Sequence, residues 1–324
     1  MGCTLTSIPT WTEDVLPSDF ELTDSSIRSK IALAIMSYAA GDALGVQYEF
    51  IREKPKISAL RIESKEGWPL GGVSDDTLLS LLTLSCLVET DSRKAGELFL
   101  EKTKAAIPKL RGLGPTTRAA LGLPISENEK LQVGNTNGAM MRTALCGLAF
   151  KSKNSKKRDD WILSSASTTH QNANAKFCAV FMAALISYFA SEDSPGIYHN
   201  LDIFQAIAKI RDENSEKPSE LNSALLNVQK WTPPAEGISL DPIHTLLAVI
   251  WVVTGAGNFK DVYIRACELG GDTDTVAALS AALFAVSKGH IDDFLAMEWL
   301  SDIRWAEIGS LKDYINLVDR NRDI

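Results

Sequence analysis

Two segments of this chain, 174–190 and 244–254, have helical spacing and carry apolar side chains on nearly every face. A helix of this kind would expose hydrocarbon at a surface, so other helices must surround it. Most remaining candidate helices are rich in Ala and Leu with a period near 3.6, and β-strand patterns are almost absent. The sequence therefore predicts an all-α multi-helix bundle with these two segments at its centre.

The chain of 324 residues contains no Pro-, Gly- or Ser-rich linker, so we expect one main domain over residues 25–324. Residues 1–24 are predicted to be an irregular arm, because Pro9 and Pro17 interrupt them and their five acids have no Lys or Arg nearby. Trp11 and Phe20 are isolated aromatic residues there. The arm either lies on the domain or reaches towards a partner.

Composition bounds the partners and the compartment. The net charge of −8 argues against nucleic acid or an anionic membrane as the main partner. Five cysteines without a CxxC pair indicate buried thiols in a reducing, cytoplasmic setting. No apolar stretch reaches about 20 residues, so no membrane span is predicted. The opening Met1-Gly2-Cys3 fits the loose N-myristoylation pattern, which often arises by chance.

Two short acidic runs each begin an apolar helix: Ser-Asp-Asp-Thr at 74–77 and Asp-Thr-Asp-Thr at 272–275. If these helices pack together, four carboxylates become neighbours, and two divalent cations would cancel their charge. Mg²⁺ and Mn²⁺ favour all-oxygen ligands of this kind. Each run alone also fits an ordinary N-cap. A cap needs only one carboxylate, so the doubled acids favour a metal-dependent hydrolase.

Three further segments have features of a ligand site, although each is weak alone. Residues 41–45 end a helix between two glycines and lead to Glu49. The loops at 109–117 and 136–142 enter helices, whose free N–H groups suit phosphate oxygens, but plain capped helices explain them equally well. His170 follows a helix, and a lone histidine is more often structural than catalytic.

These motifs occur in the order found in one family. The chain resembles the ADP-ribosylglycohydrolases of the dinitrogenase-reductase-activating glycohydrolase type over roughly residues 28–290. The matching motifs are Gly-Asp-Ala-Leu-Gly at 41–45 with Glu49, Ser-Asp-Asp-Thr at 74–77, Asn-Gly-Ala-Met-Met-Arg at 137–142, Thr-His at 169–170 and Gly-Gly-Asp-Thr-Asp-Thr at 270–275. The last motif is the most specific, and the tail beyond residue 290 lies outside the resemblance.

The resemblance implies an orthogonal helix bundle with a central di-metal cleft, in which ADP-ribose lies across two Mg²⁺ or Mn²⁺ ions. The metal ligands carried over by motif are Ser74, Asp75, Asp76, Asp272, Asp274 and Thr275. The implied substrate-binding residues are Gly112, Gly114, Thr116, Asn137, Gly138, Ala139 and His170. The diphosphate would lie near the two loops that supply most of these residues, and His170 would line the same cleft.

Three positions depart from the family pattern. Ser74 stands where threonine is usual, which keeps a hydroxyl group, and Thr136 replaces a common glycine. Some members carry a catalytic aspartate just before the Gly-x-Thr-Thr turn, where this chain has no acid. The acid–base role is therefore expected to fall to Glu49 or to a metal-bound water held by Asp76.

The resemblance favours a hydrolase that releases ADP-ribose from modified protein side chains, with an N-glycosidic bond to arginine preferred over an O-linked serine. One alternative is an immunity protein against an ADP-ribosylating toxin, acting by hydrolysis or by binding through the N-terminal arm. Another alternative is a two-metal phosphohydrolase that cleaves the diphosphate. The products separate the reactions, because glycosidic cleavage yields ADP-ribose and diphosphate cleavage yields AMP.

Overall fold

The computed structural model describes residues 8–191, 203–213 and 217–322. These residues form fifteen α-helices joined by loops and short 3₁₀ turns, and no β-strand occurs among them. The helices are α1 (Ile27–Gly45), α2 (Asp75–Ser85), α3 (Ser92–Ala106), α4 (Pro115–Ala120), α5 (Glu127–Lys130), α6 (Gly138–Thr143), α7 (Ser155–Ser167), α8 (Ala173–Ala190), α9 (Ile203–Glu213), α10 (Ser219–Leu226), α11 (Pro242–Gly255), α12 (Phe259–Glu268), α13 (Thr273–Ser287), α14 (Ile291–Leu295) and α15 (Lys312–Arg322). The all-α prediction is confirmed.

The core is built around α1, α8, α11 and α13. Every side chain from residue 272 to residue 286 is buried, so α13 is enclosed by other helices along its length. The two segments predicted to be central, α8 and α11, are also largely buried. In length and hydropathy α8 could cross a membrane, but 72% of it is buried inside the protein, as expected for a core helix.

Two glycines allow α1 and α13 to approach closely. A Cβ atom at Gly41 would lie 2.6 Å from the backbone of Ala277, and one at Gly45 would overlap the backbone of Asp274. The hydroxyl group of Thr273 donates a hydrogen bond of 2.8 Å to the carbonyl oxygen of Gly45. The Gly-Asp-Ala-Leu-Gly motif therefore holds the start of α13, with its acids, against the end of α1.

A Gly45→Ala variant is expected to lose about 1–3 kcal/mol of the free energy of unfolding, because overpacking forces two backbones apart. Thermal unfolding in EDTA measures this loss. Gly114→Ala is the control for stability, since a methyl group there would meet nothing within 4 Å. An unchanged midpoint for Gly45→Ala would show that the helices do not depend on this close approach.

The described part of the N-terminal arm lies on the domain. Trp11 is 9% exposed and stacks on Trp305, with ring centroids 4.5 Å apart and planes inclined by 11°. The edge of Phe294 packs against the same ring. Val15 accepts a hydrogen bond of 2.7 Å from the backbone of Leu311. The arm is also more regular than expected, since Thr10–Asp14 form a 3₁₀ turn. The acylation pattern at the start lies outside the described residues.

Candidate active site

A cavity of about 560 Å³, including its open mouth, lies where α2, α4, α6 and α13 begin. It brings together predicted site residues from five separate stretches of the chain. The predicted site residues that line it are Glu49, Ser74, Asp75, Asp76, Gly112, Gly114, Thr116, Asn137, Gly138, Asp272, Asp274 and Thr275. All six predicted metal ligands therefore face one space. Trp68, Pro115, Thr117, Thr136, Met141 and Leu240 complete the lining.

Local hydrogen bonds place both acidic runs at helix starts. Ser74 caps α2, because its hydroxyl oxygen accepts a hydrogen bond of 3.0 Å from the backbone N–H of Asp76. The backbone N–H of Asp75 donates to the carbonyl oxygen of Arg111 at 2.7 Å. On the opposite side, the backbone N–H of Asp272 donates to Ile238 at 2.9 Å. Each run is thus anchored by a neighbouring loop.

Burial raises the pKa of all four aspartates in the two acidic runs. The pKa of Asp75 rises to about 8 and that of Asp272 to about 6, in both cases mainly through burial. The pKa values of Asp76 and Asp274 are raised well above normal, first by burial and then by a neighbouring carboxylate. Four negative charges are therefore unfavourable here unless cations compensate them.

The cluster has the properties of a site for a hard cation. Asp76 Oδ2 and Asp274 Oδ1 are buried and accept no hydrogen bond within the described part of the chain. Carboxylate oxygens of Glu49, Asp272 and Asp274 lie within 4.8 Å of one another. Buried oxygens without a partner are costly, and Mg²⁺ or Mn²⁺ would supply one. The donor set therefore fits the divalent cations that the sequence predicts.

Glu49 lies at the mouth of the cavity, with 28% of its side chain exposed. Its carboxylate forms an ion pair of 3.0 Å with Lys65, a residue that the sequence analysis did not single out. The ammonium group of Lys65 also lies 5.5 Å from the ring centroid of Trp68, which lines the cavity. Glu49 thus lies between solvent, the ammonium group of Lys65 and the acidic cluster.

Asp42 is a fully buried acid that was seen in the motif but not assigned to the site. Its carboxylate accepts hydrogen bonds from the backbone N–H groups of Ser74 and Thr77, at 3.0 Å and 3.1 Å, and from the Thr77 hydroxyl. Burial raises its pKa to about 6. Because its oxygens are engaged, Asp42 holds the first turn of α2 in place. An acid within an apolar helix was the available signal.

Two predicted substrate-binding residues do not line the cavity. His170 is fully buried and lies behind Gly138, where a Cβ atom would be 3.4 Å from the imidazole ring. Ala139 is also fully buried. The Asn137 side chain faces the cavity, but its amide nitrogen already donates to Asp272 and to Thr245. The structure therefore places His170 behind Thr136 and Gly138, outside the lining of the cavity.

The described residues thus form an all-α bundle whose cavity is lined by carboxylate and hydroxyl oxygens, as a metal-dependent hydrolase requires. A profile of the ADP-ribosylglycohydrolase family matches residues 23–323. The chain belongs to this family, and its relatives indicate hydrolysis of ADP-ribosyl groups. The match includes the tail beyond residue 290, so the expectation that the tail lies outside the resemblance is wrong.

Several known proteins are similar along most of their length. The ADP-ribosyl-[dinitrogen reductase] glycohydrolase of Rhodospirillum rubrum is 22% identical over 87% of this chain and 92% of that protein. The ADP-ribosylarginine hydrolase Tri1 of Pseudomonas putida (strain GB-1) is 24% identical over 88% of this chain and 77% of its own length. A solved ADP-ribosylglycohydrolase-related protein complex has the same fold, with a TM-score of 0.68, 22% identity and coverage of 92% of this chain and 98% of that one.

Proposed function

We propose that this protein removes ADP-ribose from arginine side chains of modified proteins and uses two Mg²⁺ or Mn²⁺ ions. The observation that carries the proposal is the cluster of buried, unpartnered carboxylate oxygens on Asp76 and Asp274 beside a cavity of about 560 Å³. Membership of the ADP-ribosylglycohydrolase family supports the reaction type. The linkage to arginine is supported by the similarity to the ADP-ribosylarginine hydrolases Tri1, which are 24% identical to this chain.

The residues that would hold the ions are Ser74, Asp75, Asp76, Asp272, Asp274 and Thr275. Divalent cations bound there would offset the acidic charge and orient hydroxyl groups of the ribose. Asp42 keeps the α2 acids in position through its three donors. Asn137 does the same for Asp272 by donating to its carboxylate.

The charge of the cleft favours arginine over serine as the modified side chain. Glu49 lies among the lining residues and is not one of the proposed metal ligands, so its carboxylate can attract the guanidinium group of a leaving arginine. A neutral serine hydroxyl gains nothing comparable. Gly112 supports access to this region, because a Cβ atom there would lie 2.8 Å from Asp75 Oδ1.

Glu49 is the residue that we assign to proton transfer. Cleavage of a glycosidic bond needs an acid at the leaving group and a base for water. Its partial exposure allows Glu49 to exchange protons with solvent, and Lys65 holds its carboxylate near the mouth. Asp76 is buried, and as a proposed metal ligand it would hold a metal-bound water for the attack.

Incubation with arginine-linked and serine-linked ADP-ribosylated proteins tests the proposal. We expect ADP-ribose from the arginine-linked substrate, a rate at least about 10-fold lower with the serine-linked one, and loss of activity in EDTA that added Mg²⁺ or Mn²⁺ restores. AMP as the product would establish the phosphohydrolase alternative. Full activity in demetallated protein would contradict the assignment of the acids.

The immunity alternative remains a hypothesis about the biological role of the same hydrolysis. Direct binding of a toxin through the arm would require Trp11 to leave its stack on Trp305. For the compartment we propose the cytoplasm. The described cysteines are free and buried, as thiols in a reducing setting would be, namely Cys86, Cys146, Cys178 and Cys267.

A further inference from the structure

Arg142 is a buried cation close to the cavity and has no carboxylate partner in the described part of the chain. It is 1% exposed, and its guanidinium group lies 4.2 Å from the ring centroid of Phe99. Its nitrogen atoms donate to the carbonyl oxygen and hydroxyl group of Ser165 and to the hydroxyl group of Thr169, the last at 3.1 Å. Burial lowers its pKa to about 10, so the group stays charged at neutral pH.

A continuous series of hydrogen bonds connects this cation with the cavity. The Thr169 hydroxyl lies 2.8 Å from His170 Nδ1, and His170 Nε2 lies 3.0 Å from the Thr136 hydroxyl. The Thr136 hydroxyl lies 3.1 Å from that of Thr116. Thr136 and Thr116 line the cavity, whereas His170 is fully buried behind them.

The charge of Arg142 sets the direction of these hydrogen bonds. The Thr169 oxygen accepts from the guanidinium group, so its own proton is directed away, towards His170 Nδ1. Burial lowers the pKa of His170 to about 3, which leaves the imidazole ring neutral with a single proton. With Nδ1 acting as acceptor, that proton resides on Nε2 and is donated to Thr136.

The opposite direction leaves a proton without a partner. It would place the His170 proton on Nδ1 and direct it at the Thr169 oxygen, which already accepts from Arg142. The Thr169 proton would then have no acceptor among the hydrogen bonds of the described residues. A buried donor without an acceptor is costly, so the first direction is favoured.

We propose that this hydrogen-bond chain fixes the hydroxyl group of Thr116 as a donor to an anionic oxygen of the nucleotide in the cavity. The chain consists of Arg142, Thr169, His170, Thr136 and Thr116. The Thr116 oxygen accepts from the Thr136 hydroxyl and, at 3.0 Å, from the backbone N–H of Gly134. Its own proton is therefore free to point at a ligand. This inference rests on the proposed function, since it takes the nucleotide to be ADP-ribose.

The chain gives the cavity an oriented donor without placing a cation in it. A mobile hydroxyl group can donate or accept, whereas an oriented one favours an anionic oxygen over a neutral one. Arg142, Thr169 and His170 act as positioning residues, because none of them needs to touch the ligand. The burial of His170 is then explained by its place in the middle of the hydrogen-bond chain.

Thr169→Val tests the chain, because it removes the linking hydroxyl group with little change of shape. We expect the Kd for ADP-ribose, measured by titration calorimetry, to rise about tenfold, while kcat for bound substrate changes less than about threefold. Thr169→Ser should restore the affinity. Thr83→Val is the matched control, since Thr83 is also buried and its hydroxyl group donates only within its own helix.

The tautomer of His170 is a second readout that needs no variant with altered affinity. In ¹⁵N-labelled wild-type protein we expect the His170 proton on Nε2 at neutral pH, with the signal assigned by its loss in His170→Gln. A proton on Nδ1, or an unchanged Kd for ADP-ribose in Thr169→Val, would contradict the proposed role of the hydrogen-bond chain even if the enzyme releases ADP-ribose normally. Binding of ADP-ribose without hydrolysis would overturn the proposed function and leave the chain intact.

Discussion

A Glu49→Gln variant is expected to lose at least about 10³-fold in kcat while its affinity for ADP-ribose changes little. Glutamine preserves the shape of the side chain and can still accept a hydrogen bond from Lys65, but it cannot transfer the proton. Single-turnover release of ADP-ribose from an arginine-linked substrate measures the loss, and calorimetry measures binding. Glu53→Gln, at an exposed position four residues further on, is the control.

The same variant separates two roles that the structure allows for Glu49. Its carboxylate lies near Asp272 and Asp274 as well as near Lys65, so it could be a metal ligand instead of an acid. A ligand role predicts a weaker Kd for Mn²⁺ in Glu49→Gln, whereas a proton-transfer role predicts an unchanged Kd for Mn²⁺. Undiminished release of ADP-ribose would remove Glu49 from the mechanism.

The acidic cluster could be predicted from the sequence because the sequence itself shows an unfavourable excess of carboxylates at two apolar helix starts. Two acids in each apolar helix start exceed what capping requires, and a fold that buries both helices must bring such charges to a common compensated site. The structure brings Asp75, Asp76, Asp272 and Asp274 to one cavity. The central position of α8 and α11 could also be predicted from the sequence, because a helix that is apolar on every face must be surrounded by other helices.

Contacts that join distant, unremarkable segments could not be anticipated. Lys65 forms its ion pair with Glu49 from a loop that carries no recognisable motif. Trp11 is an isolated aromatic residue in the sequence, and the Trp305 ring on which it stacks lies almost the whole chain away. The position of His170 depends on packing in the same way. A motif shows that a histidine belongs near a site, but only packing decides whether it stands in front of Gly138 or behind it.

Removal of metal is expected to abolish hydrolysis and to make stability depend on pH. In the metal-free folded protein the pKa of Asp75 is about 8, compared with its ordinary value of 3.8. The folded state therefore binds more protons than the unfolded state between these values, so the free energy of unfolding falls as the pH rises through them. Thermal unfolding in EDTA should give a lower midpoint at about pH 8 than at about pH 5.5.

Added metal should act in the opposite sense. Mn²⁺ at about 100 times its Kd would contribute about 2.7 kcal/mol, a rise of roughly 5–10 °C in the midpoint at about pH 8. The rise should be much smaller at about pH 5.5, where protons compete for the same oxygens. A midpoint that ignores Mn²⁺ at both pH values would contradict a metal site at these acids.

Asp274→Asn gives the sharpest form of this prediction, because its effects on stability and activity have opposite signs. Replacing this carboxyl group by a neutral amide removes the cost of burying its charge and its repulsion by Asp76, so the metal-free variant should unfold about 3 °C or more above the metal-free wild type at about pH 8. Its response to Mn²⁺ and its release of ADP-ribose should both be lost. Asp293→Asn, at an exposed position, should change none of the three. A destabilised, still active Asp274→Asn would mean that Asp274 contributes to packing and not to a cation site. Removal of a carboxylate stabilises the metal-free protein only where the folded state buries that charge without a compensating partner.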